Sequence, residues 1–309
     1  MQDIKEVIMI GAGPSALAAA VYTTRENIDT TLYEKSAIGG LAAITDMVDN
    51  YPGFPDGIEG MTLADQLQKQ AERFGAKIDF GEISAIRDED GIKIVTVDGK
   101  EQKAKVVLIA TGSDYNKIGV PGEAEYYGRG VHYCATCDGA FYRDKKLAVV
   151  GGGNSAVQEA IFLTRFASHI DLLVRSEIKA SEVLKEDLQK YIDKGQITVH
   201  KNTTTDEIVA VDGKVSSVKV TEDSESKSIG IDGVFIFIGL KPNTGFLAGS
   251  PVDLDERGLV KTDNKLETSM KGVFACGDVR SGATMQIASA VGEGATAALS
   301  IREYLDSKS

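Results

Sequence analysis

Two stretches of the chain repeat one pattern of apolar, small and polar positions, with equivalent glycines at Gly11 and Gly151. The first is Val7-Ile8-Met9-Ile10, then Gly11-Ala12-Gly13-Pro14-Ser15-Ala16, an apolar helical run to Tyr22, and a strand Thr30-Thr31-Leu32-Tyr33 ending at Glu34. The second is Leu147-Ala148-Val149-Val150, then Gly151-Gly152-Gly153-Asn154-Ser155-Ala156, a helix to about Phe166, and a strand Ile170-Asp171-Leu172-Leu173-Val174. Short apolar runs without alternation, separated by helices, predict parallel strands buried on both faces. Over residues 62–74, Leu63, Leu67 and Ala71 fall on one face at helical spacing and predict an amphipathic helix. Alternating runs with Asp-Gly turns over 77–97 and 197–220 predict antiparallel strands. Val106-Val107-Leu108 runs into Ile109-Ala110-Thr111-Gly112. Late in the chain, residues 272–279 read as a strand ending at a small residue and the carboxylate Asp278, before a glycine-rich helix over 288–299.

The repeated turn has a chemical reading. In G-x-G-x-x-A the first glycine allows the tight bend and the second lets the backbone approach a pyrophosphate. The alanine packs helix on strand, and the helix N-terminus directs unpaired N–H groups at the anion. Two such turns, each in strand–turn–helix context, predict two dinucleotide sites. They differ where the second strand ends. Glu34 suits a ribose hydroxyl, whereas Arg175 and Lys179 follow Val174 and suit a 2′-phosphate, with Glu177 between them opposing it.

Length and charge narrow the class. At roughly 150 residues per domain, 309 residues suggest about two domains. The net charge of −12 argues against nucleic acid as a partner. The most apolar stretch, 7–22, is too short to span a bilayer and is interrupted by Gly11, Gly13 and Pro14. Asp3 and Glu6 flank Lys5 ahead of it, so no positive leader region precedes it. A soluble, cytoplasmic chain without a membrane partner is expected.

Only three cysteines are present, and Cys134-Ala135-Thr136-Cys137-Asp138 holds two of them. Two cysteines with two residues between them can close a disulfide within one turn. Half a zinc site is the competing reading. It fails for want of ligands, because only Cys276 remains and His132, His169 and His200 show no ligand spacing, so no metal is expected. Asp138 is placed to pass protons to and from a departing thiolate. Cys276, among small residues, reads as a buried thiol, and His132 as a local hydrogen-bonding residue.

Taken together and in order, Gly11–Ala16, Gly39-Gly40, Asn50-Tyr51-Pro52-Gly53, Ala110-Thr111-Gly112, Cys134 to Asp138, Gly151–Ala156 and Gly277-Asp278-Val279 resemble the low-molecular-weight thioredoxin reductases of bacteria and archaea. The resemblance implies an α/β fold with two Rossmann-like dinucleotide-binding domains, the second inserted into the first, and small antiparallel β layers. The FAD domain would comprise residues 1–117 and 246–309, and the pyridine-nucleotide domain carrying the disulfide 118–245. FAD would be held by Gly11, Gly13, Pro14, Ser15 and Glu34, by Gly39, Gly40, Leu41 and Asn50, and by Thr111, Gly112, Asp278, Gln286 and Ile287. The nicotinamide nucleotide, NADPH or NADH, would be held by Gly151, Gly153, Asn154, Ser155, Ala156, Arg175 and Lys179. Cys137 matches the thiol facing the flavin, Cys134 the thiol that attacks a thioredoxin-like protein, and Asp138 the acid–base residue. Family members are homodimers whose inserted domain is thought to rotate.

Three departures stand out against that pattern. Leu41 replaces a glutamine, Met285-Gln286-Ile287 replaces Arg-Gln-Ala, and the phosphate clamp His-Arg-Arg-x-x-x-Arg is reduced to Val174-Arg175-Ser176-Glu177-Ile178-Lys179. At about 1.5–3 kcal/mol per charged hydrogen bond, a thinner clamp erodes NADPH preference. The alternative is therefore an FAD-dependent dithiol oxidase, or a ferredoxin-fed thioredoxin reductase with weak or no use of NADPH.

Overall fold

The computed structural model describes residues 4–45 and 47–308. It divides into two compact units, Met1–Asp114 with Lys241–Ser309, and Tyr115–Leu240.

In the first unit the central strand is Ile4–Ile10, where Val7, Ile8 and Met9 have no exposed surface. Two-sided burial is why this run is apolar at successive positions. Thr30–Glu34 and Lys100–Ile109 flank it in parallel. Lys77–Phe80 extends the sheet beyond Thr30–Glu34, also in parallel, with Lys77 opposite Thr31. The alternating pattern of 77–97 is thus antiparallel only from Ile83 onward, where Ile83–Glu89 and Ile92–Val97 form a hairpin. An edge strand is wetted on one face whichever way it runs, so alternation reports exposure and not direction.

Lys100–Ile109 has a double duty. Its first half pairs antiparallel with Ile92–Val97, and Val107, Leu108 and Ile109 pair in parallel with Val273–Ala275 from the far end of the chain. One sheet face is covered by helices Pro14–Arg25 and Ile287–Asp306. These touch backbone to backbone, because a Cβ on Gly294 would strike the carbonyl oxygen of Ser15. The C-terminal helix runs past residue 299, since Ile301 is fully buried and Tyr304 and Leu305 also pack on the core with Leu17 and Val106.

The second unit is a five-stranded parallel sheet ordered Val131–His132, Gly233–Ile236, Lys146–Val150, His169–Leu173, Ile197–His200. Here too the third strand of the repeated motif is parallel, and the antiparallel meander starts only at Thr203–Val211, continuing through Lys214–Glu222 and Glu225–Gly230. The meander buries Ile208, Val218 and Val220 against Ala148, Val150 and Leu173. Helices Asn154–Leu163 and Glu182–Asp193 cover the opposite face. The first of these stops at Leu163 and not near 166, because the chain tightens there. Arg165 and Phe166 donate to carbonyls three residues back, and the Thr164 hydroxyl donates to Ile161 at 2.6 Å. Among the described residues no helix is long and apolar enough to cross a membrane.

Candidate functional site

Three chemical elements are distributed over the two units. In the first unit the turn after Ile4–Ile10 is held from behind. Gly11 has φ 98°, its N–H donates to the Tyr33 carbonyl at 2.8 Å, and a Cβ there would lie 2.5 Å from the Ala110 oxygen. Gly13 is the opposite case, since a Cβ added to it would have no neighbour within 4 Å. Gly40 backs onto Gly13, whose Cα would be 3.8 Å from its Cβ. The helix Pro14–Arg25 begins at Gly13 with no side-chain cap, so its first N–H groups remain open to an anion. We expect Gly11→Ala to lower the unfolding midpoint of the flavin-free protein, since alanine at positive φ costs about 1–3 kcal/mol before any collision. Gly13→Ala should leave that midpoint unchanged and reduce flavin content instead. Melting curves and flavin absorbance on the purified variants separate the two.

Glu34 ends the second strand, buried, and is fixed at both carboxylate oxygens. One accepts from the Ala12 N–H at 2.9 Å, the other from the Ser36 N–H at 2.9 Å and its hydroxyl at 3.2 Å. The oxygen bonded to Ala12 keeps a second lone pair for a further donor such as a ribose hydroxyl. Asn50 and Gln286, far apart in sequence, meet where the Asn50 Nδ2 donates a hydrogen bond to Gln286 Oε1 at 3.1 Å. Leu41 lies half-buried in the short helix Gly40–Ala43, and Ile287 packs against Val48, Ile58 and Leu63. Thr111 donates its hydroxyl to the Asn243 carbonyl at 2.8 Å, and the Asn243 amide returns a bond to the Thr111 carbonyl at 3.0 Å. Gly112, at φ 65°, would meet nothing with a Cβ.

Asp278 is the electrostatic centre of this end. Burial, and then the charge of Glu293, push its carboxyl up to about 6. Its main-chain oxygen accepts from Ser113 at 2.6 Å, while its carboxylate accepts no hydrogen bond from the described residues. The preceding Gly277, at φ 75°, packs against Ser15, whose Oγ would be 2.7 Å from a Cβ at that glycine. A carboxylate raised this way lacks donors, and a polyhydroxylated chain supplies them. A glycine cradle open to solvent, a capless helix start, a tethered acid at the end of the second strand and an acid without side-chain donors together fit a bound flavin. Cys276 is free and buried, its thiol pushed up to about 12 by burial against a hydrogen bond from Ser15 that pulls the other way.

In the second unit Cys134 and Cys137 form a disulfide with Cα atoms 5.3 Å apart. Cys134 caps the single turn Ala135–Asp138, and its Sγ accepts from the Cys137 N–H at 3.2 Å. Closing the bond uses both thiols, so neither is available as a metal ligand. Cys134, Cys137 and Asp138 are all half-buried. Asp138 is held by its own main chain, donating to the Cys134 carbonyl at 3.2 Å.

The third element is the turn at Gly151, which repeats the Gly11 arrangement. The Gly151 N–H donates to the Leu173 carbonyl at 3.0 Å, and a Cβ there would strike the Phe237 oxygen. Gly153 is open, the helix Asn154–Leu163 starts without a side-chain cap, Ser155 is exposed and Ala156 is buried. Asn154 is used locally, accepting from the Ser181 N–H at 2.9 Å. Matching Tyr33 to Leu173 through these bonds makes Val174 the counterpart of Glu34, so the ribose acid is missing from this unit. Arg175 and Lys179 are exposed without a side-chain partner among the described residues, whereas Glu177 is paired with Lys201 at 3.1 Å. The Lys179 N–H donates to the Gly152 carbonyl at 2.7 Å and closes the loop over the turn.

Sequence reasoning did not find Asn243, Ser36, Ser113 or Glu293, which accepts from the Gly277 N–H at 2.8 Å while paired to Arg280. None of them lies in a motif. Each acts on a segment distant in sequence or through the backbone.

Two dinucleotide turns around a redox-active disulfide define a class. The chain belongs to the pyridine nucleotide-disulphide oxidoreductases, whose family profile matches residues 5–294. Within that class it is a flavoprotein of the thioredoxin reductase type. It is 42% identical over 311 residues to the thioredoxin reductase of Bacillus subtilis (strain 168), covering 99% of this chain and 96% of that one. Against the thioredoxin reductase of Treponema pallidum (strain Nichols) identity is 38%, over 99% of each chain. The crystal structure of thioredoxin reductase from Streptococcus pyogenes MGAS5005 superposes with a TM-score of 0.94 at 37% identity, covering 99% of this chain and 100% of that one.

Proposed function

We propose that this enzyme is a thioredoxin-disulfide reductase that draws on NADPH or NADH, holds FAD in its first unit, and delivers reducing equivalents through Cys134 and Cys137 to a thioredoxin-like protein. The observation that carries the proposal is the half-buried Cys134–Cys137 disulfide followed directly by Asp138, in a chain with two glycine turns built for dinucleotides. When bound, the flavin supplies the two-electron relay between a nicotinamide and a disulfide. Gly13 and Gly40 admit its pyrophosphate, Glu34 takes the adenosine ribose, and Asp278 accepts from hydroxyls of the ribityl chain. The Gly151 turn admits the nicotinamide dinucleotide, with Arg175 and Lys179 at its 2′-phosphate.

The protein's own chemistry is thiol exchange. Two electrons and two protons break the Cys134–Cys137 bond and leave two thiols. Cys134, as thiolate, attacks the partner's disulfide and forms a mixed disulfide, and the partner sulfur it displaces takes up a proton. Cys137, as thiolate, then attacks Cys134, which frees the partner as a dithiol and restores the starting bond. Asp138 accepts the proton that each attacking thiol must lose and returns it to each departing sulfur. The family resemblance supports a homodimer in the cytoplasm.

Anaerobic titration with each nicotinamide, following the flavin absorbance, tests the route. We expect NADPH to bleach the flavin, and Arg175→Ala to weaken NADPH by about 10–100-fold, the loss of one charged hydrogen bond, with NADH unaffected. Bleaching by neither nicotinamide would favour the second reading, a dithiol oxidase or ferredoxin-fed reductase. That reading draws on the thin clamp after Val174, where Arg175 and Lys179 are the two basic groups and Glu177 stands between them.

A further inference from the structure

Beside the disulfide, one imidazole is gripped at both nitrogens. His132 lies on Val131–His132, only 6% exposed, with its strand position opposite Phe235. Its Nδ1 is 3.1 Å from Asp138 Oδ2, and its Nε2 is 2.7 Å from the Tyr142 hydroxyl. The Phe235 ring stacks on its face, centroids 5.0 Å apart, and Tyr142 meets it edge-on at 5.2 Å. Tyr142 is itself seated by the absence of a side chain, since a Cβ at Gly233 would come within 2.5 Å of its ring. The imidazole is therefore contacted at both nitrogens and on one ring face.

We propose that His132 is a positioning residue for Asp138, with Tyr142 fixing its tautomer, so that proton exchange with the thiols is confined to Asp138 Oδ1. The inference rests on the reading of Asp138 as the acid–base residue. Burial, and then the charges of Asp138 and Asp232, hold the Tyr142 phenol far above its usual range, so it keeps its proton and has it to offer to Nε2. A neutral imidazole that accepts at Nε2 carries its proton on Nδ1, the nitrogen that faces Oδ2 of Asp138 at 3.1 Å. One carboxylate oxygen thereby lies against the imidazole, and Oδ1 has no partner among the described residues. When Asp138 takes a thiol proton it does so on Oδ1, and it gives the proton back from there. His132 keeps its own proton throughout, so the cycle closes with no net transfer along the line. The other ionisable groups on this side are Asp232, which is paired with Lys145 at 3.8 Å and capped by the Lys146 N–H at 2.9 Å, and Tyr127, which burial and the Asp138 charge keep protonated. Neither contacts the imidazole, so the geometry leaves Asp138 and Tyr142 as the groups that bear on it.

The experiment compares His132→Phe, His132→Asn and Tyr142→Phe holoenzymes, with Asp138→Asn alongside. For each, the pH profile of NADPH-dependent thioredoxin reduction is recorded, together with the rate of flavin reduction by NADPH alone. Phenylalanine keeps the stack on Phe235 but donates nothing. His132→Phe is expected to lower turnover about 10–100-fold and to move the acid limb of its profile to higher pH, with flavin reduction unchanged. Asparagine restores a donor at the Nδ1 position and is expected to recover most of the rate. Tyr142→Phe should move the acid limb in the same direction by less, and it carries the test if His132→Phe does not fold. An acid limb that stays in place in both Phe variants, an asparagine variant no better than phenylalanine, or an equal loss of flavin reduction overturns the inference. If Asp138→Asn retains full turnover, it is the underlying reading that fails. If Asp138→Asn is inactive and the His132 variants are not, only the positioning role is lost.

Discussion

We expect Cys137→Ser to abolish thioredoxin reduction, a fall of at least about 10³-fold, while a nicotinamide still bleaches the flavin. The size follows from the chemistry. Reduction of a thioredoxin disulfide needs two exchange events, and the second requires a thiolate that attacks the Cys134 sulfur. Serine at 137 is nearly isosteric but has a hydroxyl that does not ionise in the working range, so the cycle stops after the first event. Cys134→Ser should be equally inactive toward thioredoxin, yet the two differ in what they trap. The Cys137 variant accumulates a mixed disulfide between Cys134 and the partner, visible as a shifted band on a non-reducing gel, and the Cys134 variant does not. Full thioredoxin turnover by Cys137→Ser would show that the electrons leave by another path. The fold should survive either change, because a loop of only two intervening residues takes little entropy from the unfolded chain.

Asp278→Asn should pull stability and cofactor binding in opposite directions. The carboxyl moves from an unfolded value of 3.8 to about 6 in the folded, flavin-free chain. A raised value means the protonated form suits the fold, so its contribution is fully present below about pH 4 and is lost as the pH rises through 6. Roughly two units at 1.36 kcal/mol each put the cost of the ionised form at about 3 kcal/mol by pH 8. Asparagine carries no charge, so the flavin-free variant should melt higher than the parent at pH 8, with the gap closing at pH 4.5. Flavin binding should weaken about 10–100-fold, because a charged acceptor for hydroxyls is gone. Equal melting points at pH 8 would refute the electrostatic part of the account, and an unchanged flavin affinity the functional part.

These two residues also show what was legible in the chain. Cys134, Cys137, the paired glycine turns and the strand-terminal acids stand in short motifs whose spacing is dictated by one turn or one strand end, so a linear reading reaches them. The core strands were legible for the same reason, since Val7 to Ile10 and Leu147 to Val150 are buried on both faces and apolar without interruption. Lys77–Phe80 and Ile197–His200 were not, because an edge strand alternates whether its neighbour runs parallel or antiparallel. His132 was read as a local hydrogen-bonding residue, which is true as far as it goes. That its second nitrogen reaches Tyr142 depends on Gly233, a contact made across the sheet that no local pattern encodes. Glu293 and Asn243 were invisible on similar grounds, being partners of main-chain groups contributed by other segments.

The strand Lys100–Ile109 has a consequence for how the polypeptide is made. Its last three residues lack their outer neighbour until Val273–Ala275 has been synthesised, which happens only after the whole of Tyr115–Leu240 has emerged. On the ribosome the inserted unit, whose five-stranded sheet and meander pair only within themselves, is free to mature first, while the earlier segment waits with an open edge. Interrupted translation would therefore leave an incomplete first unit tethered to a finished second one, the sort of nascent species that chaperones shelter.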